Sequence, residues 1–317
     1  MKIVTLMRLK DQEERLISAF PNIDFTFYKY PGEAEEHVLA DADVLVSYHG
    51  ELNQAILEKC KNLKLLAWYA TGVNNLPLDY IEERGIILTN AKGVHAIQIA
   101  EFVFAYILND IKLFKETYEA QKQHTFLNKL TPDSINEKTI LFLGTGKIPQ
   151  QTAKIARAFN MNIIGINTDG RSIDGFDEVY SIEERRHVFS RADFIVNVLP
   201  ETKATIHLLD KDDFKAMNKH AHFINVGRGT IVSEAVLVEA LKQEEIRFAS
   251  IDVFEEEPLA ESSQLYDMDN VMITPHITGN DKNNLIRSTD ILIDNLKILV
   301  DKKNSPFKNV VNTKQGY

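Results

Sequence analysis

Cysteine is nearly absent from this chain. The single one, Cys60, leaves no partner for an intrachain disulfide and no pair for a cysteine metal site. It reads as a small side chain on a helix. Long apolar runs are absent too, and none approaches the roughly 18 residues that a membrane helix requires. Positive charge is in deficit: 36 Lys and Arg against 46 Asp and Glu give a net charge of −10, which argues against the basic face of a nucleic-acid binder. The opening Met1 to Arg8 is charged too early for a secretory signal. No fixed-period repeat or low-complexity tract occurs. These absences leave a cytoplasmic globular protein that binds neither nucleic acid nor membrane. Its 317 residues give room for about two domains.

What is present is alternation. Residues 2–7, 24–28, 44–47, 65–69 and 86–89 read as strands, separated by charged amphipathic stretches, with a helix over 11–20. A long apolar helix follows over 97–113, too long for a simple crossover. A second series of strands occupies 138–143, 162–166, 194–198, 223–226, 248–253 and 271–274. The tail, 283–300, is again amphipathic helix, followed by the polar Lys302-Lys303-Asn304. Strands alternating with helices predict an α/β fold with parallel sheets.

Three segments carry chemistry. Asn225-Val226-Gly227-Arg228-Gly229 follows one strand of the second series, Asp252-Val253-Phe254-Glu255-Glu256-Glu257-Pro258-Leu259 the next, and Thr274-Pro275-His276 the last. Open α/β sheets bind ligands beyond the carboxyl ends of their strands, so an Arg, a Glu and a His reach one crevice this way. A guanidinium fits a planar carboxylate bidentately, and a His held by a carboxylate is a general acid–base couple. Singly, each has a bland alternative: a solvated arginine, an exposed acidic run, a satisfied core histidine. Order, spacing and context favour the joint reading, a machine for an α-oxo or α-hydroxy acid. His220 and His222 alternate along a predicted strand with no third ligand spaced near them, so no metal site is expected.

Residues 139–143 run into Gly144-Thr145-Gly146-Lys147-Ile148-Pro149-Gln150, and 152–159 follow as helix. Strand, glycine turn and helix is the context of a dinucleotide fingerprint. Gly144 permits the tight turn and Gly146 lets a pyrophosphate approach the helix N-terminus. Pro149 replaces the third glycine, where a missing N–H is tolerated. After the next strand the fingerprint expects an acid for the ribose 2′-hydroxyl, but Asn167-Thr168-Asp169-Gly170-Arg171-Ser172 stands there. Loss of the acid, with Arg171 and Ser172 as donors, favours NADP over NAD; Asp169 argues the other way.

With these residues in hand the chain resembles the D-isomer-specific 2-hydroxyacid dehydrogenases, which include glyoxylate/hydroxypyruvate reductases and phosphoglycerate dehydrogenases. The likeness covers nearly the whole chain. Tyr69-Ala70-Thr71-Gly72-Val73-Asn74-Asn75-Leu76 looks like the family's substrate-carboxylate loop, Ile99-Ala100-Glu101 like the start of its interdomain helix, and the closing Gly316-Tyr317 also fits. The resemblance implies two Rossmann-like domains with parallel sheets. The smaller, flavodoxin-like and discontinuous, takes 1–97 plus 284–317 and binds substrate; the dinucleotide-binding domain takes 98–283. It implies that Arg228 binds and polarises the oxo acid, His276 exchanges the proton and Glu257 orients His276. Asp252 would face the nicotinamide carboxamide, with Val226 and Gly279 lining that end. Lys147 and Ile148 would offer amides to the pyrophosphate, and Leu199 and Pro200 would flank the cofactor. Substrate contacts would come from Tyr48, Thr71, Gly72, Val73 and Arg228. A homodimer paired through the cofactor domain is also implied.

The expected reaction is reversible hydride transfer between NAD(P)H and C2 of a small 2-oxo acid such as glyoxylate or hydroxypyruvate. A rival reading is a non-enzymatic, cofactor-gated interaction protein of corepressor type on the same fold. His49, beside Tyr48, reads either as a substrate contact or as a solvated loop histidine.

Overall fold

The computed structural model describes residues 1–301 and 305–316; Lys302 to Asn304 and Tyr317 lie outside the described residues. The chain divides into two compact units, Met1–Val94 with Asp281–Tyr317, and His95–Asn280. The divisions fall at 94/95 and 280/281, ahead of the 97/98 and 283/284 read from the sequence.

In the first unit β1 (Lys2–Leu6), α1 (Gln12–Ala19), β2 (Asp24–Tyr28), α2 (Glu36–Asp41), β3 (Val44–Ser47), α3 (Gln54–Lys59), β4 (Leu65–Trp68), α4 (Leu78–Glu83) and β5 (Ile87–Thr89) alternate. All pairings are parallel and the order is β2-β1-β3-β4-β5, the flavodoxin-like arrangement. β3 and β4 are buried along their whole length, which is why they read as unbroken apolar runs rather than alternation.

The second unit opens with α5 (Ala96–Ile111) and α6 (Phe114–Lys122). The sequence predicts a helix over 97–113; α5 ends at Ile111, the chain turns at Leu113, which is left-handed with φ 56°, and α6 follows as a second helix that the sequence reading did not give. No Gly or Pro marks that turn. There follow β6 (Thr139–Leu143), α7 (Lys147–Ala158), β7 (Asn162–Asn167), β8 (Glu178–Ser181), α8 (Arg185–Phe189), β9 (Phe194–Asn197), α9 (Lys211–Ala216), β10 (His222–Asn225), α10 (Glu234–Lys242), β11 (Phe248–Ile251) and β12 (Val271–Ile273). α7 begins five residues earlier than the predicted 152, since Pro149 occupies its first turn. β8 is an edge strand, partly exposed and missed by the sequence reading. The seven strands are parallel in the order β12-β11-β10-β9-β6-β7-β8, doubly wound about β6. Apolar clusters cover both faces, one around Phe189, Phe214 and Phe223, the other around Phe142, Phe194 and Tyr106.

α11 (Asn284–Asp301) returns to the first unit, where Leu292 and Leu296 pack with Ile3, Val44 and Leu65. No helix among the described residues is long and apolar enough to cross a membrane.

One buried polar network ties α5 to the larger sheet. His222, fully buried on β10, faces Ser250 Oγ on β11 at 2.9 Å through Nε2 and Asp110 Oδ2 on α5 at 3.0 Å through Nδ1, the latter outside hydrogen-bond geometry. His220, expected on the same strand, lies instead in the turn before it. Arg247 grips Asp110 bidentately at 2.8 and 2.6 Å. Burial holds the His222 pKa below its ordinary 6.5 against the pull of Asp110. Burial raises that of Asp110, but the bonds from Arg247 and the close approach of the His222 ring outweigh it and hold the carboxyl well below the usual range.

The sign of the pH effect follows. In the folded protein His222 resists a proton that the unfolded chain accepts near 6.5, so stability falls as pH drops below that value. Urea midpoints of the wild type should therefore decline between neutral and mildly acid pH, and His222→Asn should be less stable at neutral pH with a shallower decline. Identical slopes for the two proteins would remove His222 from the network's pH response.

Candidate active site

Six strand ends form one edge of the larger sheet. Parallel register sets Ile166 beside Leu143, Leu143 beside Asn197, Asn197 beside Asn225, Asn225 beside Ile251 and Ile251 beside Ile273. The glycine loop, Arg228, the acidic loop and His276 all follow members of that row.

Arg228 is half-buried in extended backbone (φ −139°, ψ 142°), and its Nη1 donates to its neighbour Gly227 O at 2.8 Å. The two flanking glycines are there for room, since neither has a positive φ. A Cβ at Gly227 would lie 2.9 Å from Leu199 O; one at Gly229 would lie 1.9 Å from the Phe254 carbonyl. The chain around Arg228 thus threads between the loop after β9 and the loop after β11. Asn197 and Asn225, both buried, close one side: Asn197 Nδ2 donates to Asn225 Oδ1 at 2.8 Å.

The acidic loop folds back on the next strand end. Glu257 Oε1 accepts from Phe254 N at 3.0 Å and Oε2 meets His276 Nδ1 at 2.7 Å. Glu255 anchors the same loop, its Oε1 at 2.7 Å from His207 Nε2 and its Oε2 accepting the α10 amide of Glu234 at 3.0 Å. Neither His207 nor Glu255 was singled out from the sequence; His207 lies far from the motifs and carries no signal there. His276 is left-handed at φ 52°, a conformation that costs a non-glycine residue and tends to mark functional turns. Its side chain is half exposed.

Asp252 organises that turn. Fully buried, its Oδ1 accepts from Thr274 Oγ1 (2.6 Å) and Ile277 N (2.9 Å), and its Oδ2 from Thr278 N (3.1 Å) and Thr278 Oγ1 (2.5 Å). Its carbonyl accepts His276 N at 2.8 Å. Tyr106 on α5 adds a hydrogen bond to Thr274. Gly279 O, just beyond, takes His95 Nδ1 at 2.8 Å and Gln98 Nε2 at 3.0 Å. Val226, expected beside Gly279, is buried in the core under β10.

At the other end of the edge, Gly144 turns with φ 105° and Gly146 caps α7 with open space where a Cβ would be. No side chain caps the helix, so the amides of Lys147 and Ile148 have no cap acceptor, and Pro149 has no amide to satisfy. Leu199 is half-buried and Pro200 exposed. Asn167 is buried and occupied with its own loop: its Oδ1 accepts from Gly170 N at 2.7 Å and Nδ2 donates to Arg171 O at 2.9 Å. These bonds shape the loop. Thr168 is exposed, and Arg171 pairs with Asp169 at 2.8 Å on the surface.

In the first unit, Thr71, Gly72 and Val73 follow β4. Trp68 Nε1 donates to Gly72 O and Asn90 Nδ2 to Thr71 O, both at 2.8 Å. Val73 is buried and Tyr48 is 48% exposed.

Residues 104–278 match the family model described as D-isomer specific 2-hydroxyacid dehydrogenase, NAD binding domain. The chain belongs to that family. It is 31% identical to glyoxylate/hydroxypyruvate reductase B of Escherichia coli (strain K12) over 77% of each chain. It is 34% identical to D-3-phosphoglycerate dehydrogenase of Methanocaldococcus jannaschii over 75% of this chain, spanning 46% of that relative's length. A solved family member from Aeromonas salmonicida superposes with TM-score 0.86 at 28% identity, covering 98% of this chain and 99% of that one. By family this dehydrogenase is an NAD(P)-dependent oxidoreductase of 2-oxo and 2-hydroxy acids, not a non-enzymatic relative.

The residues fit the cofactor. Gly144, Gly146 and the uncapped amides of Lys147 and Ile148 form a cradle for a pyrophosphate at a helix N-terminus. The bound nicotinamide supplies or accepts the hydride. With Nδ1 held by Glu257, the His276 ring would have Nε2 left to exchange a proton with a substrate oxygen.

Asp252 was expected to face the nicotinamide carboxamide; in the structure its carboxylate has no exposed surface and takes four donors, which hold residues 274–278. Asp252→Asn puts an amide N–H₂ where one oxygen accepts two donors. It should destabilise by about 1–3 kcal/mol for the unmet donors and lower kcat, read by urea unfolding and turnover. A variant with wild-type stability and turnover would contradict this role.

Proposed function

We propose that this dehydrogenase reduces small 2-oxo acids such as glyoxylate or hydroxypyruvate, with NADPH used at least as well as NADH. The observation that carries the reading is the His276–Glu257 couple, set at a left-handed turn on the same sheet edge as Arg228. Arg228 binds the acid's carboxylate and stabilises negative charge developing on the carbonyl oxygen. His276 gives that oxygen its proton as the hydride reaches C2, and Glu257 keeps the ring in place. Likeness to the reductases named above supports the choice of substrate.

For the cofactor, Asn167 stands where an acid would repel a 2′-phosphate. The Arg171–Asp169 pair is exposed on both sides, and such pairs contribute little, so a phosphate dianion can draw Arg171 away. We further read the enzyme as a homodimer joined through the larger unit. There α6 and the segment after it expose Phe114, Tyr118, Phe126 and Leu127, with Phe126 90% exposed, an apolar surface suited to a second copy. A monomer mass in sedimentation would end that reading.

The test of the reaction is oxidation of NADPH or NADH on adding glyoxylate or hydroxypyruvate. Turnover with both acids is expected, and Arg228→Lys should lose about a hundredfold or more in kcat/KM, ~2.7 kcal/mol, since lysine lacks the planar fork. An NADH preference of roughly tenfold or more overturns the cofactor assignment. Near-wild-type turnover in Arg228→Lys removes that residue from the site.

A further inference from the structure

Three loops leave the same edge of the larger sheet side by side. One follows β9, the next carries Arg228 after β10, and the third is the acidic loop after β11. The outer two both grip the middle one. From the β9 side, His207 N donates to Thr230 O at 2.7 Å and Leu209 N to Ile231 O at 3.0 Å, while Thr230 Oγ1 donates to Glu201 Oε2 at 2.8 Å. From the β11 side, the Phe254 backbone occupies the place of a Cβ on Gly229.

A side-chain bond then joins the outer loops to each other. His207 Nε2 donates to Glu255 Oε1 at 2.7 Å. The contacts form a closed circuit around the segment that bears Arg228: His207 to Thr230, Gly229 to Phe254, and Glu255 back to His207. Glu255 Oε2 accepts the amide of Glu234 at 3.0 Å, which ties the circuit to the start of α10. His207 matches His276 in two respects. Both are left-handed, at φ 51° and 52°, and each meets a carboxylate of the acidic loop at 2.7 Å. Such backbone persists at a non-glycine residue only where its surroundings hold it. Glu255 and Glu257 thus serve different neighbours, one the loop of the arginine and the other the histidine.

Exposure separates position from stability. The His207 side chain is 53% exposed and that of Glu255 32%, and pairs this open add little to global stability. Placement is another matter, since a shift of about 1 Å in a binding group costs on the order of a hundredfold in rate.

We propose that His207 is a positioning residue for Arg228: its bond to Glu255 closes the circuit of loops and sets where the guanidinium takes the carboxylate of the oxo acid. This rests on the role given to Arg228 above.

Two variants test it. His207→Asn keeps a residue that tolerates left-handed backbone but falls short of Glu255, whereas His207→Gln places its amide nitrogen as many bonds from Cα as histidine places Nε2. In His207→Asn the KM for glyoxylate should rise about fivefold or more, with the KM for NADPH and the urea midpoint at their wild-type values. His207→Gln should regain most of the loss. Hydrogen exchange reads the circuit without turnover: the amides of residues 228–232 should exchange about threefold faster in His207→Asn and near the wild-type rate in His207→Gln. An unaltered KM for glyoxylate, a joint rise in both KM values with a lower urea midpoint, a glutamine no better than asparagine, or unchanged exchange overturns the proposal. If wild type reduces no oxo acid, or Arg228→Lys keeps its turnover, the reading of the site fails by itself. The exchange rates then decide the circuit alone: faster exchange in asparagine that glutamine reverses upholds it, and equal rates end it.

Discussion

The buried carboxylate of Asp252 is the constraint on which the larger unit's working edge depends. Four donors from residues 274–278 converge on it, and its own carbonyl takes the amide of His276. Burying a carboxylate is tolerable only when its lone pairs are met, and here they are met from one short segment. The segment therefore has little freedom, and the left-handed backbone at His276 is held by these bonds rather than by local preference. Once the ring is placed, Glu257 has a fixed partner, and Glu255 pins the rest of the acidic loop to α10 and His207.

Packing supplies the second half of the constraint. Gly229 lies against the Phe254 backbone so closely that no side chain fits, and Gly227 does the same against Leu199. The arginine is thereby set between two loops that are themselves anchored to strand ends. A guanidinium on a free loop would lose conformational entropy on binding; one gripped on both sides has already lost it.

Much of this is legible in the sequence, for physical reasons that also mark where it stops. Strands buried on both faces, such as β3, β4, β6 and β9, read directly because burial demands continuous apolar residues. β8 is a half-exposed edge and left no such run. α6 buries only Ala120 and carries no apolar period, so it was not read as a helix. The start of α7 was hidden because Lys147, Ile148 and Pro149 follow an uncapped glycine, the arrangement that leaves amides for an anion. Arg228, Glu257 and His276 were visible as residue types after strands, and the His276–Glu257 contact is the pairing that the family resemblance implied. The sequence shows Asp252 as an acid after a strand but not the hydroxyls and amides around it, and it shows where Asn167 stands but not the use of both amide ends on its own loop.

The central claim is that Glu257 works only through His276. It is tested most directly by a double-mutant cycle on kcat/KM for reduction of a 2-oxo acid, with wild type, Glu257→Gln, His276→Gln and the double variant. Residues that act as a unit are strongly non-additive. The account predicts that the double variant is about as impaired as His276→Gln alone, since the carboxylate then has no ring to hold and keeps only its bond from the Phe254 amide. Losses that simply multiply, so that Glu257→Gln costs the same with or without the imidazole, would contradict it.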